Sequence, residues 1–332
     1  MSRPASVRQA LVLTAGLGTR LRPLTLVRAK PAIPLLGEPL VLRIVRWLRA
    51  AGVDDLVLNL HYRPETITAV LGDGSPAGVR VRYSWEQPIL GSAGGPRLAA
   101  PIIGAGTFLI VNGDTLTDLD LHALMESHVQ SGALVTMALV SNDAPDRYGG
   151  VRLDPDGRVT GFVGKGRDAV GSYHFVGVQA ASALAFAGVA PGTVAASVGE
   201  VYNRLLATRP GSVRGHIVKA GFWDIGTIGD YWRTSTDFAS RAGDAEALGR
   251  GIGVAVAPDA IVRRSILWDR VRIGPGALLD ECIVTDNVTV PAGAVFRQSI
   301  LMESPHGLEV FPLPEPLSPA PQEHYGLDRA EN

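Results

Sequence analysis

Residues 11–34 read Leu-Val-Leu-Thr-Ala-Gly-Leu-Gly-Thr-Arg-Leu-Arg-Pro-Leu-Thr-Leu-Val-Arg-Ala-Lys-Pro-Ala-Ile-Pro. An apolar run at 12–14 enters a glycine loop that carries Arg20, Arg22 and Lys30. Gly16 and Gly18 let backbone approach a ligand without side-chain clash, and a turning backbone exposes N–H groups. Cations just behind such a loop suit a polyphosphate. A dinucleotide-binding loop would want a third glycine where Leu21 stands, and Pro23 breaks the segment. A P-loop would end in Gly-Lys-Ser/Thr, which is missing. A purely structural glycine turn is the bland alternative.

Two carboxylates stand out. Asn112-Gly113-Asp114 follows a strongly apolar run. A carboxylate at a strand end near a phosphate loop is a natural Mg²⁺ ligand, although Gly-Asp is also a common turn. In Phe222-Trp223-Asp224-Ile225-Gly226-Thr227 the carboxylate sits among apolar residues; the alternative is a helix cap. A second glycine-rich stretch, Gly91-Ser92-Ala93-Gly94-Gly95, follows Glu86 and Gln87. A solvated loop is the plain reading of Gln87. No Ser-His-Asp order, Cys-His pairing or zinc spacing occurs.

These residues need a scaffold. Strands are predicted at 11–14, 56–60, 79–85, 107–111 and 133–140, and helices at 40–51, 64–71 and 119–131. Such alternation implies a Rossmann-like α/β fold, a mostly parallel mixed sheet with helices on both faces. Ligands of such sheets bind beyond the carboxyl ends of the strands, where the glycine loop and Asp114 fall. From 151 to 179 three short antiparallel strands are separated by Asp-Pro-Asp-Gly and Gly-Lys-Gly turns, and helices follow at 198–207 and 229–240.

Beyond a glycine-rich joint at 249–253 the chain repeats. Val256, Ile273 and Val290 open similar segments 17 residues apart, each followed by a second apolar segment. An aliphatic residue about every six positions resembles the hexapeptide repeats of a short left-handed parallel β-helix. The expected organisation is a catalytic domain over 1–243, the β-helix over 250–303 and a proline-rich, peripheral or disordered tail over 304–332.

Hydrophobic residues make up 46% of the 332, ample for a core, and the formal charge of −1 gives no reason to expect nucleic acid or an anionic membrane as partner. The single cysteine, Cys282, allows no internal disulfide. With no signal h-region and no membrane-length apolar run, a cytoplasmic protein is expected.

The first motif resembles the signature of the sugar-1-phosphate nucleotidylyltransferases, Gly-x-Gly-Thr-Arg-Leu-x-Pro-Leu-Thr followed by Lys-Pro. Gly16, Gly18, Thr19, Arg20, Leu21, Pro23, Leu24, Thr25, Lys30 and Pro31 match, and the resemblance covers about the first 240 residues. It implies condensation of an NTP with a hexose-1-phosphate, with release of pyrophosphate. The mannose-1-phosphate guanylyltransferases and N-acetylmuramate 1-phosphate uridylyltransferase are the nearest in flavour, with the guanylyltransferase branch leading. Uridylyl or thymidylyl transfer, cytidylyl transfer to a non-sugar alcohol phosphate, and a catalytically silent NDP-sugar-binding subunit are the alternatives.

The resemblance also implies roles. Arg20, Lys30 and Asp114 would be catalytic, with Mg²⁺ held by Asp114 and Asp224. Ala15, Gly16, Gly18, Thr19, Glu86, Gln87, Gly91 and Ser92 would hold the nucleotide, with Glu86 and Gln87 reading the base edge by hydrogen bonds. Lys165, Gly177 and Glu200 would hold the sugar phosphate. Gly164 and Gly166 stand where the family usually has glutamate and proline. Repeat units in related enzymes commonly assemble subunits, so a homo-oligomer is expected.

Overall fold

The computed structural model describes residues 7–104, 106–243 and 247–314. The chain divides into two compact units. The first comprises residues up to Leu17, Arg28–Ala32 and Leu40–Phe222; the second comprises Gly18–Val27, Ile33–Pro39 and residues from Trp223 on.

The first unit is built on a nine-stranded mixed sheet. Its elements are β1 Gln9–Leu13, α1 Leu40–Ala50, β2 Asp55–Leu60, α2 Pro64–Leu71, β3 Arg80–Trp85, α3 Gly91–Ile103 and β4 Thr107–Asn112, then α4 Leu121–Ser131, β5 Val135–Ser141, β6 Gly150–Leu153, β7 Val159–Val163, β8 Tyr173–Ser182, α5 Tyr202–Thr208 and β9 Val213–Ile217. The sheet order is β7-β6-β8-β4-β1-β2-β3, and β5 joins β8 to β9. Strand β1 is parallel to both β2 and β4, and β3 is parallel to β2. Strand β8 is antiparallel to β4, β5 and β6.

Local chemistry explains the elements. The central strands are continuous apolar runs because both faces are covered: Ala10, Leu11, Val12, Phe108, Leu109 and Val111 have no measurable exposure. Helix α1 buries Leu40, Val41, Ile44, Val45 and Leu48 on one stripe. Asp120 caps α4 by accepting from the His122 and Ala123 amides, and Gly132 closes it in the left-handed region.

One helix was not predicted, and two expectations need correction. The glycine-rich stretch 91–95 is the first turn of α3. Its free amides are satisfied from outside the helix, since the Ala93 and Gly94 amides both donate to the Ala195 carbonyl. The helix predicted at 198–207 starts later, at Tyr202, because Val198 and Gly199 hold non-helical backbone angles. The predicted tail starts too early: Ser299–Ser304 and Gly307–Pro312 form an antiparallel hairpin. The rest of that tail, from residue 315, lies outside the described residues.

The second unit holds the repeats as a parallel β-helix. One face aligns Ile261, Leu278 and Val295. A second aligns Val256, Ile273 and Val290, and a third Ile266, Ile283 and Ile300. The 17-residue period also sets the corners, where Arg264, Glu281 and Gln298 take positive φ. Leu267, Val271, Leu279, Val284, Val288 and Leu301 fill the coil interior, with Cys282 buried among them. Burial pushes the Cys282 thiol up. The same unit contains α6, Ile228–Arg241, capped by Thr227 accepting from the Asp230 amide.

Candidate active site

In the first unit the chemistry gathers after the carboxyl ends of β1 and β4. Leu13 pairs with Asn112, and the Gly113 amide donates to the Leu13 carbonyl. This pins Asp114 just beyond the strand end. Lys30, at the start of a short 3₁₀ turn, places its Nζ 2.5 Å from Asp114 Oδ2. The lysine side chain is 11% exposed and the aspartate 32%. A carboxylate that neutralises the ammonium while keeping an open side can also offer oxygen to a cation.

Gly177 sits where the pairing of β8 with β5 shifts register, at φ +80°. A Cβ there would meet Asn112 Nδ2 at 2.7 Å. The left-handed angle and the close approach both require glycine. Asn112, paired with Leu13 of β1, thereby packs against the β8 backbone at Gly177, a close approach no spacing rule singles out.

The glutamate expected to read a nucleobase edge does something else. Glu86 is 3% exposed. Its Oε1 accepts from Asn59 Nδ2 at 2.7 Å and its Oε2 from the Leu90 amide at 2.8 Å. Asn59 in turn accepts from the Thr14 amide at 2.6 Å. Glu86 therefore links the β1 loop to the start of α3, and its oxygens are committed inside the protein. Gln87 beside it is exposed. Ser92 also turns inward: its Oγ accepts from the Ser197 amide and is 2.9 Å from Ser197 Oγ. Glu200 accepts from the Ala196 amide at 3.2 Å, so it folds back on the same turn. Ala15 is buried, and Gly16 has open space where a Cβ would project.

Lys165 is exposed on its turn and makes no ion pair among the described residues. That turn is tied to the preceding loop by the Gly166 amide donating to the Pro145 carbonyl. On β8, His174 packs in tilted contact with Tyr148 at 4.1 Å and with Phe222 at 4.9 Å between ring centroids. Burial holds the imidazole neutral, with its pKa pushed down to about 4.

The second unit carries its own cluster. Gly18, in the left-handed region, begins the turn bearing Thr19 and Arg20, and its carbonyl accepts from Thr25 Oγ1 at 3.0 Å. Gly226 locates the rest: its Cβ position would lie 3.4 Å from Arg20 Nη1 and 3.3 Å from Asp224 Oδ2 and Asp230 Oδ2. Arg20 and Asp224 thus meet around a residue with no side chain. Asp230, which the sequence reading did not single out, completes this cluster as part of the α6 cap and pairs with Arg233. It is 6% exposed and accepts from Thr227 Oγ1 at 2.8 Å. The signal was there in Thr227-x-x-Asp230 at a helix start.

Among the described residues no group of three or more His, Cys, Asp or Glu side chains could hold a metal ion. Mg²⁺ does not need one, because it binds through one or two carboxylates and takes its other ligands from water and phosphate. Asp114, a hard oxygen donor open to solvent on one side, fits that pattern. Among the described residues no helix is long and apolar enough to cross a membrane.

The family described as Nucleotidyl transferase matches residues 9–241. A mannose-1-phosphate guanylyltransferase from Mycobacterium tuberculosis is 33% identical over 262 residues, 76% of this chain and 72% of the relative. A mannose-1-phosphate guanyltransferase from Aspergillus fumigatus is 38% identical over 49% of this chain, which spans about half of that relative (46%). An N-acetylmuramate alpha-1-phosphate uridylyltransferase from Neisseria meningitidis is 34% identical over 66% of this chain and 94% of the relative. The crystal structure of HddC from Yersinia pseudotuberculosis complexed with GMP-PN superposes with a TM-score of 0.61 at 27% identity, covering 70% of this chain and all of that one.

Proposed function

This chain belongs to the nucleotidyl transferase family, and we propose that it joins GTP to mannose-1-phosphate. A phosphate oxygen of the sugar phosphate attacks the α-phosphorus of the nucleotide. One P–O bond forms, the α–β bond breaks, and pyrophosphate leaves with the electron pair. The nucleophile is already anionic, so neither a covalent intermediate nor a strong base is needed. The reaction needs in-line positioning and neutralisation of charge.

The observation that carries this reading is the Lys30–Asp114 pair just beyond β4. Lys30 holds phosphate charge, and Asp114 fixes the ammonium through a charge-assisted bond. Arg20 takes the transferring phosphates, and the loop amides at Ala15, Gly16, Gly18 and Thr19 cradle them. Gln87 and the backbone at Gly91 and Ser92 take the base. Lys165, Gly177 and Glu200 take the sugar phosphate. Asp114 and Asp224 are the residues that would hold Mg²⁺, which when bound supplies further neutralisation of the phosphate oxygens.

Guanine and mannose are supported by the mycobacterial and fungal relatives. Uridylyl transfer is the second reading, favoured by the high coverage of the neisserial relative. Turnover with GTP and with UTP at saturating sugar-1-phosphate separates the two. The first reading expects kcat/KM at least about tenfold higher with GTP, and the reverse order supports the second.

A further inference from the structure

Trp268, Tyr231 and Pro34 form a buried hydrogen-bonded relay inside the second unit. The Trp268 indole N–H donates to the Tyr231 hydroxyl at 3.0 Å, and that hydroxyl donates to the Pro34 carbonyl at 2.6 Å. Trp268 and Tyr231 have no measurable exposure, and Pro34 is buried. The donors run in one direction, so each bond polarises the next. The three residues come from the β-helix, from α6 and from the short hairpin Pro34–Pro39.

The middle of the relay and its Pro34 end each lie close in the chain to residues assigned to phosphate chemistry. Tyr231 lies one turn into α6, and its amide donates to the Thr227 carbonyl. That helix start carries Gly226, around which Arg20 and Asp224 meet. Pro34 follows the 3₁₀ turn Lys30–Ala32 by two residues. A second contact presses the hairpin against the β-helix: a Cβ on Gly37, at φ +82°, would collide with the Arg250 carbonyl oxygen. Strand Ala247–Arg250 is the first of its β-helix face.

We propose that Tyr231, whose hydroxyl bridges Trp268 and Pro34, is a positioning residue for nucleotidyl transfer, and that the β-helix thereby holds the Arg20–Asp224 turn and the chain after Lys30 in register. The β-helix then serves the chemistry directly, whatever its part in assembly. This rests on the functional reading above for the roles of Arg20, Lys30 and Asp224.

The test uses Tyr231→Phe and Trp268→Phe in the full chain, with kcat, both KM values and amide hydrogen exchange measured. Tyr231→Phe removes the bridging hydroxyl but keeps the ring. It should lower kcat about tenfold or more, with both KM values within about threefold. Exchange should quicken at residues 33–39 and 225–230, while the coils beyond residue 270 keep their protection. Trp268→Phe, which leaves the Tyr231–Pro34 bond, should show the same pattern more weakly, and it carries the test should Tyr231→Phe not fold. A folded variant with kcat within about twofold of the parent, or with its loss confined to KM, overturns the proposal. So does unchanged exchange at both segments. If the parent turns over no substrate pair, the functional reading fails, and the exchange result still decides whether the relay holds those segments.

Discussion

Lys30 Nζ lies 2.5 Å from Asp114 Oδ2, and the lysine is the more buried partner. The pair joins a turn after the glycine loop to the residue just beyond β4, 84 positions apart in sequence. A buried ammonium needs its counter-charge, so the aspartate holds the lysine while one edge of its carboxylate stays open to solvent.

Removing the charge at Asp114 should therefore be costly. Asp114→Asn keeps the shape and loses the anion. We expect kcat to fall by about a hundredfold or more, on the order of 3 kcal/mol of transition-state stabilisation. Asp224→Asn should do the same. Circular dichroism would check that the fold persists, and near-parental turnover at saturating Mg²⁺ in either variant would remove that residue from the metal assignment.

The two lysines should separate by ligand. Lys165 is exposed on the turn between β7 and β8, so Lys165→Ala should weaken sugar-1-phosphate binding and spare NTP binding. Lys30→Ala should weaken both. Each lost charge-assisted contact should cost about 1.5–3 kcal/mol. Calorimetric titration that found Lys165→Ala losing NTP affinity instead would contradict the sugar-side role.

Much of this arrangement was legible from residue order. The apolar runs, the capped α4 and the 17-residue repeat each carry a period or cap that local physics dictates. Helix α3 was hidden because Gly91, Gly94 and Gly95 disfavour a helix, as do Pro96 and Pro101. Its stability comes from the distant Ala195 carbonyl and from packing, which no local window contains. The inward turn of Glu86 was hidden for a similar reason: Asn59, distant in sequence, and the Leu90 amide meet its carboxylate. The association of α6 with the β-helix rests on Tyr231 and Trp268, 37 residues apart, with no motif to announce it.

Gly177 should not tolerate a side chain. Gly177→Ala would force a methyl group to within 2.7 Å of Asn112 Nδ2 at a φ of +80°. Strain and displacement together should cost about 1–3 kcal/mol of stability. Urea unfolding would measure it, and a midpoint equal to the parent's would contradict the fit.

His174 predicts acid sensitivity. Its folded pKa is about 4 because burial disfavours the imidazolium, against an ordinary 6.5. Between those values the unfolded chain binds a proton that the folded protein refuses, so stability falls as pH drops from about 6.5 to about 4. At pH 5 the loss from this group is on the order of 2 kcal/mol. His174→Phe keeps the tilted contacts with Tyr148 and Phe222 and removes the titrating group. Its stability should fall less between pH 7 and pH 5 than the parent's, as read from urea midpoints. Equal slopes would contradict the assignment.

The most direct test of the whole account is pyrophosphate release by the purified protein, across a matrix of NTPs and sugar-1-phosphates with Mg²⁺ present and absent. The account predicts Mg²⁺-dependent release that requires both substrates and is fastest with GTP and mannose-1-phosphate. No release with any pair, or release that proceeds without a sugar phosphate, would contradict it.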